Sequence, residues 1–166
     1  MLSTIGYEKV QLDDFVGTLL ANNIQVLVDI RERAQSRRRG FSKTALSNRL
    51  AESGIGYVHF RSLGDPKEGR LAARSGDYDR FRIIYHEVMQ SAAAMAAIAE
   101  IATIAETQSV CLLCYERDHE LCHRKIVADE LETTLGVRAR HLGVQVIEPS
   151  KESARRMLHS RQSAAA

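Results

Sequence analysis

The stretch VCLLCYERDHELCHR, residues 110–124, holds all three cysteines of the chain and two of its six histidines. Val110–Leu113 reads as a buried strand, and CHRKIVADELETTLG after it reads as a helix closed by Gly136. Between them lie a thiol, a carboxylate and an imidazole. The Cys111-Leu-Leu-Cys114 spacing invites a metal or redox reading. In a strand, however, successive side chains alternate faces, so Cys111 and Cys114 point opposite ways and share no ligand. Cys111 is therefore expected in the core.

Working outward, the same alternation of apolar strand and periodic helix recurs. STIGY is a short strand, followed by helical spacing at Phe15, Leu19 and Leu20. QVLVDIR is a strand rich in Val, Leu and Ile. Ser42 is placed to cap a helix through SKTALSNRLAESG, and GYVHFRSLG is the third strand. DPKEGRLAARSGDYD reads as a polar connection. Residues 78–107 read as one long helical run, or two helices with a bend. VRARHLG is the last strand.

Strands this apolar, alternating with helices, predict a mainly parallel, about five-stranded sheet inside a three-layer, Rossmann-like α/β sandwich. The expected domain spans residues 1–147, followed by a basic tail over 148–166. In such a sheet every strand's carboxyl end lies on one edge, where open α/β folds bind ligands. The residues ending each strand are Gly6–Tyr7, Asp29–Arg31, Arg61–Gly64, Cys114–Glu116 and His141–Gly143. The chemically loaded residues thus fall on one edge.

The 166 residues suit one domain, able to bury about two thirds of its unfolded surface. A 45% hydrophobic and 27% charged composition is that of an ordinary globular protein. No apolar run reaches the roughly 18 residues of a membrane helix. MLSTIGYEKV lacks the pattern of a signal peptide, and an odd number of cysteines confined to one segment points to a reducing cytoplasm. The net charge of +2 is too small to imply nucleic-acid binding. Its distribution is uneven: Arg31, Arg33, Arg37, Arg38, Arg39 and Lys43 face only Glu32 between residues 31 and 43.

Two readings compete for Cys114, a buried small hydrophobe and a thiol at the mouth of a pocket. Cys122, His123 and Arg124 open the last helix, where unpaired N–H groups and the dipole favour anions and lower a thiol's pKa. Arg124 brings a planar fork suited to phosphate. Metal ligation by Cys114, Cys122 and His123, joined by His59 or His141, is a further alternative. Tyr115 is expected to face the core, His119 to be a solvated loop residue, and His59 to be a satisfied structural histidine. Asp29 needs a partner, with Arg31 or Arg33 the nearest. Arg37–Arg39 are either a solvated basic loop or phosphate contacts.

STIGY, LVDIR, SRRRGFSKTAL, GIGYVHFRSLGDPK, LLCYERDHELCHR and RHLG, in this order, resemble the bacterial and archaeal family catalogued as domain of unknown function 488. The resemblance covers roughly residues 1–145 and is most specific in C-x-E-x5-C-H-R. One departure is Ala34 and Arg38 in a loop where family members often carry prolines. The resemblance implies the fold and a set of site positions, namely Tyr7, Asp29, Arg31, Ser36, Arg37, Phe41, Ser42, Cys114, Glu116, Cys122, His123 and Arg124. It names no reaction.

The leading expectation is an enzyme acting on a phosphate-bearing substrate, a nucleotide or nucleic-acid component, without cofactor or metal. Arg31, Arg37, Arg124 and the helix start at Cys122 hold the anion. Cys114 is the nucleophile or a thiol reactant, and Glu116 or His123 moves protons. Two rivals stand beside it: a nucleic-acid or partner-binding module using the Arg31–Lys43 loop, and a metal or redox sensor using Cys114, Cys122 and His123.

Overall fold

The computed structural model describes residues 1–146; the basic tail over 148–166 lies outside the described residues. The elements in chain order are β1 (Leu2–Gly6), α1 (Leu12–Ala21), β2 (Val26–Asp29), α2 (Lys43–Ala51), β3 (Gly56–His59), a 3-10 turn (Arg61–Leu63), α3 (Lys67–Arg74), α4 (Tyr78–Met89), α5 (Ala92–Thr107), β4 (Val110–Cys114), α6 (His123–Leu135) and β5 (Arg140–Leu142). The five strands form one sheet in the order β3-β2-β4-β1-β5, and every pairing is parallel.

Period-two alternation sorts each strand's side chains between two cores. Ile5, Leu27, Cys111 and Leu113 pack with Phe15, Leu19, Leu46 and Leu50 of α1 and α2. Leu2, Val26, Val28, Val110 and Leu112 pack on the other face with residues of α3 to α6, among them Phe81, Ile98, Ile101 and Leu131. The result is the three-layer α/β sandwich expected from the strand pattern. Cys111 lies fully buried in the first core, so C-x-x-C is an accident of spacing.

The order also explains where a site can form. The helices after β1 and β2 cover one face, whereas the helix after β4 covers the other. β4 lies between β1 and β2, so the connections diverge on both sides of its carboxyl end. A crevice opens at such a switch point. Gly6 at the end of β1 lets the chain after β4 cross it closely: a Cβ there would sit 1.9 Å from the Glu116 carbonyl oxygen.

Three segments differ from expectation. β3 stops at His59, because the chain then turns through Arg61–Leu63 and seats Leu63 in the core. The DPKEG stretch contains α3, whose buried face carries only Gly69 and Ala72 and so shows no apolar stripe in the sequence. Residues 78–107 are two helices bent by 78°, with Ser91 Oγ accepting from Ala94 N to start the second. No single helix among the described residues is long and apolar enough to cross a membrane.

Candidate functional site

At the carboxyl end of β4, Cys114 projects toward α6, and the chain returns at Cys122 to begin that helix. Both thiols donate to one carboxylate oxygen, Glu116 Oε2, Cys114 Sγ at 3.2 Å and Cys122 Sγ at 3.1 Å. His123 Nδ1 lies 3.6 Å from Cys114 Sγ. The other ring nitrogen, Nε2, is 3.1 Å from the Ile30 carbonyl and donates to it, which fixes the tautomer and aims Nδ1 at the sulfurs. Cys114, Cys122 and His123 are all buried.

Burial pushes the Cys114 thiol up, against the hydrogen bond with Cys122 and helped by Glu116, and the Cys122 thiol well up, helped by Cys114 and opposed by His123, so the helix start at Cys122 does not lower its pKa as its position suggested. Burial would also raise Glu116, but hydrogen bonds from Cys122, its own loop backbone and Cys114 outweigh this and hold it below its usual value. Desolvation would lower His123; the Cys122 sulfur and the Ile30 carbonyl lift it to about 9 instead. The cluster is two neutral thiols around a carboxylate, with a positive charge favoured on the ring.

Arg124 turns inward, toward the loop after β4. Its guanidinium is buried and donates to the Glu116 carbonyl at 2.5 Å and the Arg117 carbonyl at 3.0 Å. It pins the loop that carries Glu116.

The remaining expected positions form a second group on the opposite face of the sheet. Arg31 Nε and Nη2 bind both oxygens of buried Asp29, while Nη1 donates to Tyr7 Oη and the Phe41 carbonyl, each at 2.9 Å. Tyr57 Oη donates to Asp29 at 2.6 Å. Tyr7 stacks on Phe41 with ring centroids 4.5 Å apart. Tyr7, Asp29, Arg31 and Phe41 are all buried, so they brace the sheet edge rather than face a cleft. Ser36 and Ser42 bond each other: Ser42 Oγ accepts from Ser36 N and donates to the Ser36 carbonyl. Ser42 is the first residue before α2, as expected, yet its hydroxyl serves the loop and not the helix. Arg37 is exposed on that loop.

The groups meet through the backbone. Ile30, between Asp29 and Arg31, offers its carbonyl to His123, and its amide bonds the Leu113 carbonyl at 3.2 Å. His59 bonds the Arg31 carbonyl at 2.8 Å, the satisfied role expected of it, and His141 bonds Thr4 at 2.9 Å. His119 is not merely solvated: it stacks on His141 with centroids 3.7 Å apart. Tyr115 is exposed rather than in the core, because β4 ends one residue before it.

A cleft of about 210 Å³ opens beside Glu116, Cys122 and His123, walled by Asp65, Arg74 and Tyr78 among others. A family model matches residues 11–131. The chain belongs to the family described as Domain of unknown function DUF488. No curated protein and no solved structure matches it significantly.

Asp65 and Arg74 line this DUF488 domain's cleft and were not placed there by its sequence. Asp65 is buried, its Oδ1 has no hydrogen-bond partner, and desolvation raises it to about 6. Arg74 ends α3, which the sequence hid. Behind the cleft, fully buried Tyr85 puts its ring 5.2 Å from His123 and donates to the Leu63 carbonyl at 2.6 Å. The one available signal was Asp65-Pro66, since proline favours the first turn of a helix.

Proposed function

We propose that this DUF488 domain is an enzyme whose reacting centre is the Cys114–Glu116–Cys122–His123 cluster, acting on a small phosphate-bearing molecule held in the adjoining cleft. One observation carries the reading: a single carboxylate oxygen, Glu116 Oε2, contacts both thiols beside an open cleft at a topological switch point of the sheet. A carboxylate in that position takes a proton from sulfur or from a substrate group and returns it. His123, held by the Ile30 carbonyl, supports the developing charge.

Arg31 and Arg124 are committed inside the protein, so the anion-holding role passes to Arg74 on the cleft wall and to the N–H groups that open α6. The test is a thermal-shift screen against nucleotides and phosphorylated metabolites, repeated with Glu116→Gln and Arg74→Ala. A phosphate-bearing ligand that stabilises the protein, loses affinity in Arg74→Ala and is not turned over by Glu116→Gln supports the reading. Binding and turnover indifferent to both substitutions would overturn it.

A further inference from the structure

The Cys114 thiol has one hydrogen, and it is spent on Glu116 Oε2, as is that of Cys122. His123 Nε2 donates to the Ile30 carbonyl. In the neutral ring the Nδ1 lone pair therefore meets Cys114 Sγ at 3.6 Å, with the thiol hydrogen directed to Glu116. A positive centre belongs there. A proton serves one donor–acceptor pair, whereas three donors converge on this point: Cys114 Sγ, Cys122 Sγ and His123 Nδ1 all lie within 4.8 Å of one another.

We propose that Cys114 Sγ, Cys122 Sγ and His123 Nδ1 ligate a zinc-class divalent cation, whose fourth position opens beside Glu116 toward the cleft. Zinc–sulfur bonds of ~2.3 Å and zinc–nitrogen bonds of ~2.0–2.1 Å at a tetrahedral angle place sulfur and nitrogen about 3.6 Å apart. Cys114 Sγ and His123 Nδ1 are 3.6 Å apart. The Ile30 carbonyl supplies the partner that a metal-bound imidazole almost always has on its second nitrogen. Two soft sulfurs with one imidazole select zinc over magnesium or calcium, which take oxygen ligands. Glu116 Oε2 is 3.1–3.2 Å from the two sulfurs, closer than the ~3.6 Å an oxygen sharing the ion would keep. Glu116 accordingly sits next to the fourth position, placed to accept a proton from a water bound there. The cleft beside Cys122 and His123 gives the ion its way in.

Binding balances as one divalent cation plus two thiols giving a dithiolate–metal unit and two protons. Those protons leave through Glu116 to solvent, and no oxidant or reductant takes part. The inference deepens the catalytic reading of the same cluster and rests on it for the role of Glu116.

The test begins with the full-length, untagged wild-type chain. It is stripped with a chelator under reducing conditions, then titrated with Zn²⁺ and separately with Co²⁺. The expected results are one ion per chain, a thiolate-to-cobalt charge-transfer band with the intense visible bands of tetrahedral cobalt, and protection of two thiols from alkylation. Cys122→Ser is expected to weaken zinc by more than the roughly 10–100-fold lost when only a residue supporting a ligand is removed. Glu116→Gln keeps the ion. No stoichiometric ion in wild type, or a cobalt spectrum without the thiolate band, overturns the inference even where the substituted chains fail to fold. Loss of the ion in Glu116→Gln overturns the open fourth position. An ion that binds as described, while Glu116→Gln and Arg74→Ala alter no ligand binding or turnover, supports the metal centre and removes the catalytic reading.

Discussion

At the scale of single residues, the arginines show how position along the chain differs from availability. Arg31 and Arg124 read as anion holders because each follows or opens an element at the functional edge, yet both are folded inward against oxygen acceptors of the protein itself. Arg31→Met strips Asp29 of its cation while leaving it buried. Breaking such a pair costs on the order of 3–5 kcal/mol. Urea denaturation should show a loss of that size, with ligand affinity of the folded fraction unchanged; a pure affinity loss at full stability would return Arg31 to the cleft. Asp65 gives a pH-dependent counterpart. Desolvation raises its folded pKa to about 6 from an unfolded value near 3.8. The neutral form is thus favoured in the fold, and stability from this group is present below about pH 4 and lost as pH rises through 6. Asp65→Asn should therefore gain stability over wild type at pH 8, on the order of 1–3 kcal/mol, and the gap should close toward pH 4. Equal melting-temperature differences at both pH values would contradict this.

At the scale of elements, the strands were legible because their apolar residues are contiguous, α1 because Phe15, Leu19 and Leu20 keep a helical spacing, and α6 because Gly136 closes it, while Ser42 marked the start of α2 without its hydroxyl capping the helix. α3 was not, since Gly69 and Ala72 bury backbone-sized side chains that leave no periodic signal. The same concealment hid Arg74, so the cleft lost one wall in the sequence reading. Cys114, Glu116, Cys122 and His123 were legible together because one strand end and one helix start carry all four. The split of the remaining positions onto the opposite face was not, for it depends on strand parity at Asp29 against Cys114 and on which helices cover each side. The crossing of β1 by the loop after β4 is the tightest inter-element fit at the site. Gly6→Ala would drive a methyl group into the Glu116 carbonyl, and backbone on both sides leaves it nowhere to go. A lowered melting temperature is expected, together with weaker Zn²⁺ binding, whereas Gly136→Ala should cost only the ~1–2 kcal/mol of a left-handed residue, its φ being 64°, and leave the ion in place.

At the scale of the whole molecule, the strand order separates two surfaces. The cleft adjoins α3, α4 and α6, while Arg33, Lys43 and Arg61 line a shallower groove near the start of α2. Nucleic acid held by the arginine loop would dissociate steeply with added salt and survive Cys114→Ser, whereas a cleft ligand would show the reverse pattern. The order also ranks the strands: β4 is paired on both sides, and β3 and β5 are edges. Amides of β4 should exchange only through global unfolding, those on the outer sides of β3 and β5 through smaller openings, measured by native-state hydrogen exchange. One further consequence concerns time. β1 pairs with β4 and β5 and with neither β2 nor β3. During synthesis the first strand therefore leaves the ribosome about a hundred residues before its partner exists, an interval of roughly 5–20 s at ~5–20 residues per second. Until then Leu2–Gly6 is an unclaimed apolar segment, and the thiol cluster, complete only when β4 docks against it, is among the last features of the protein to be made.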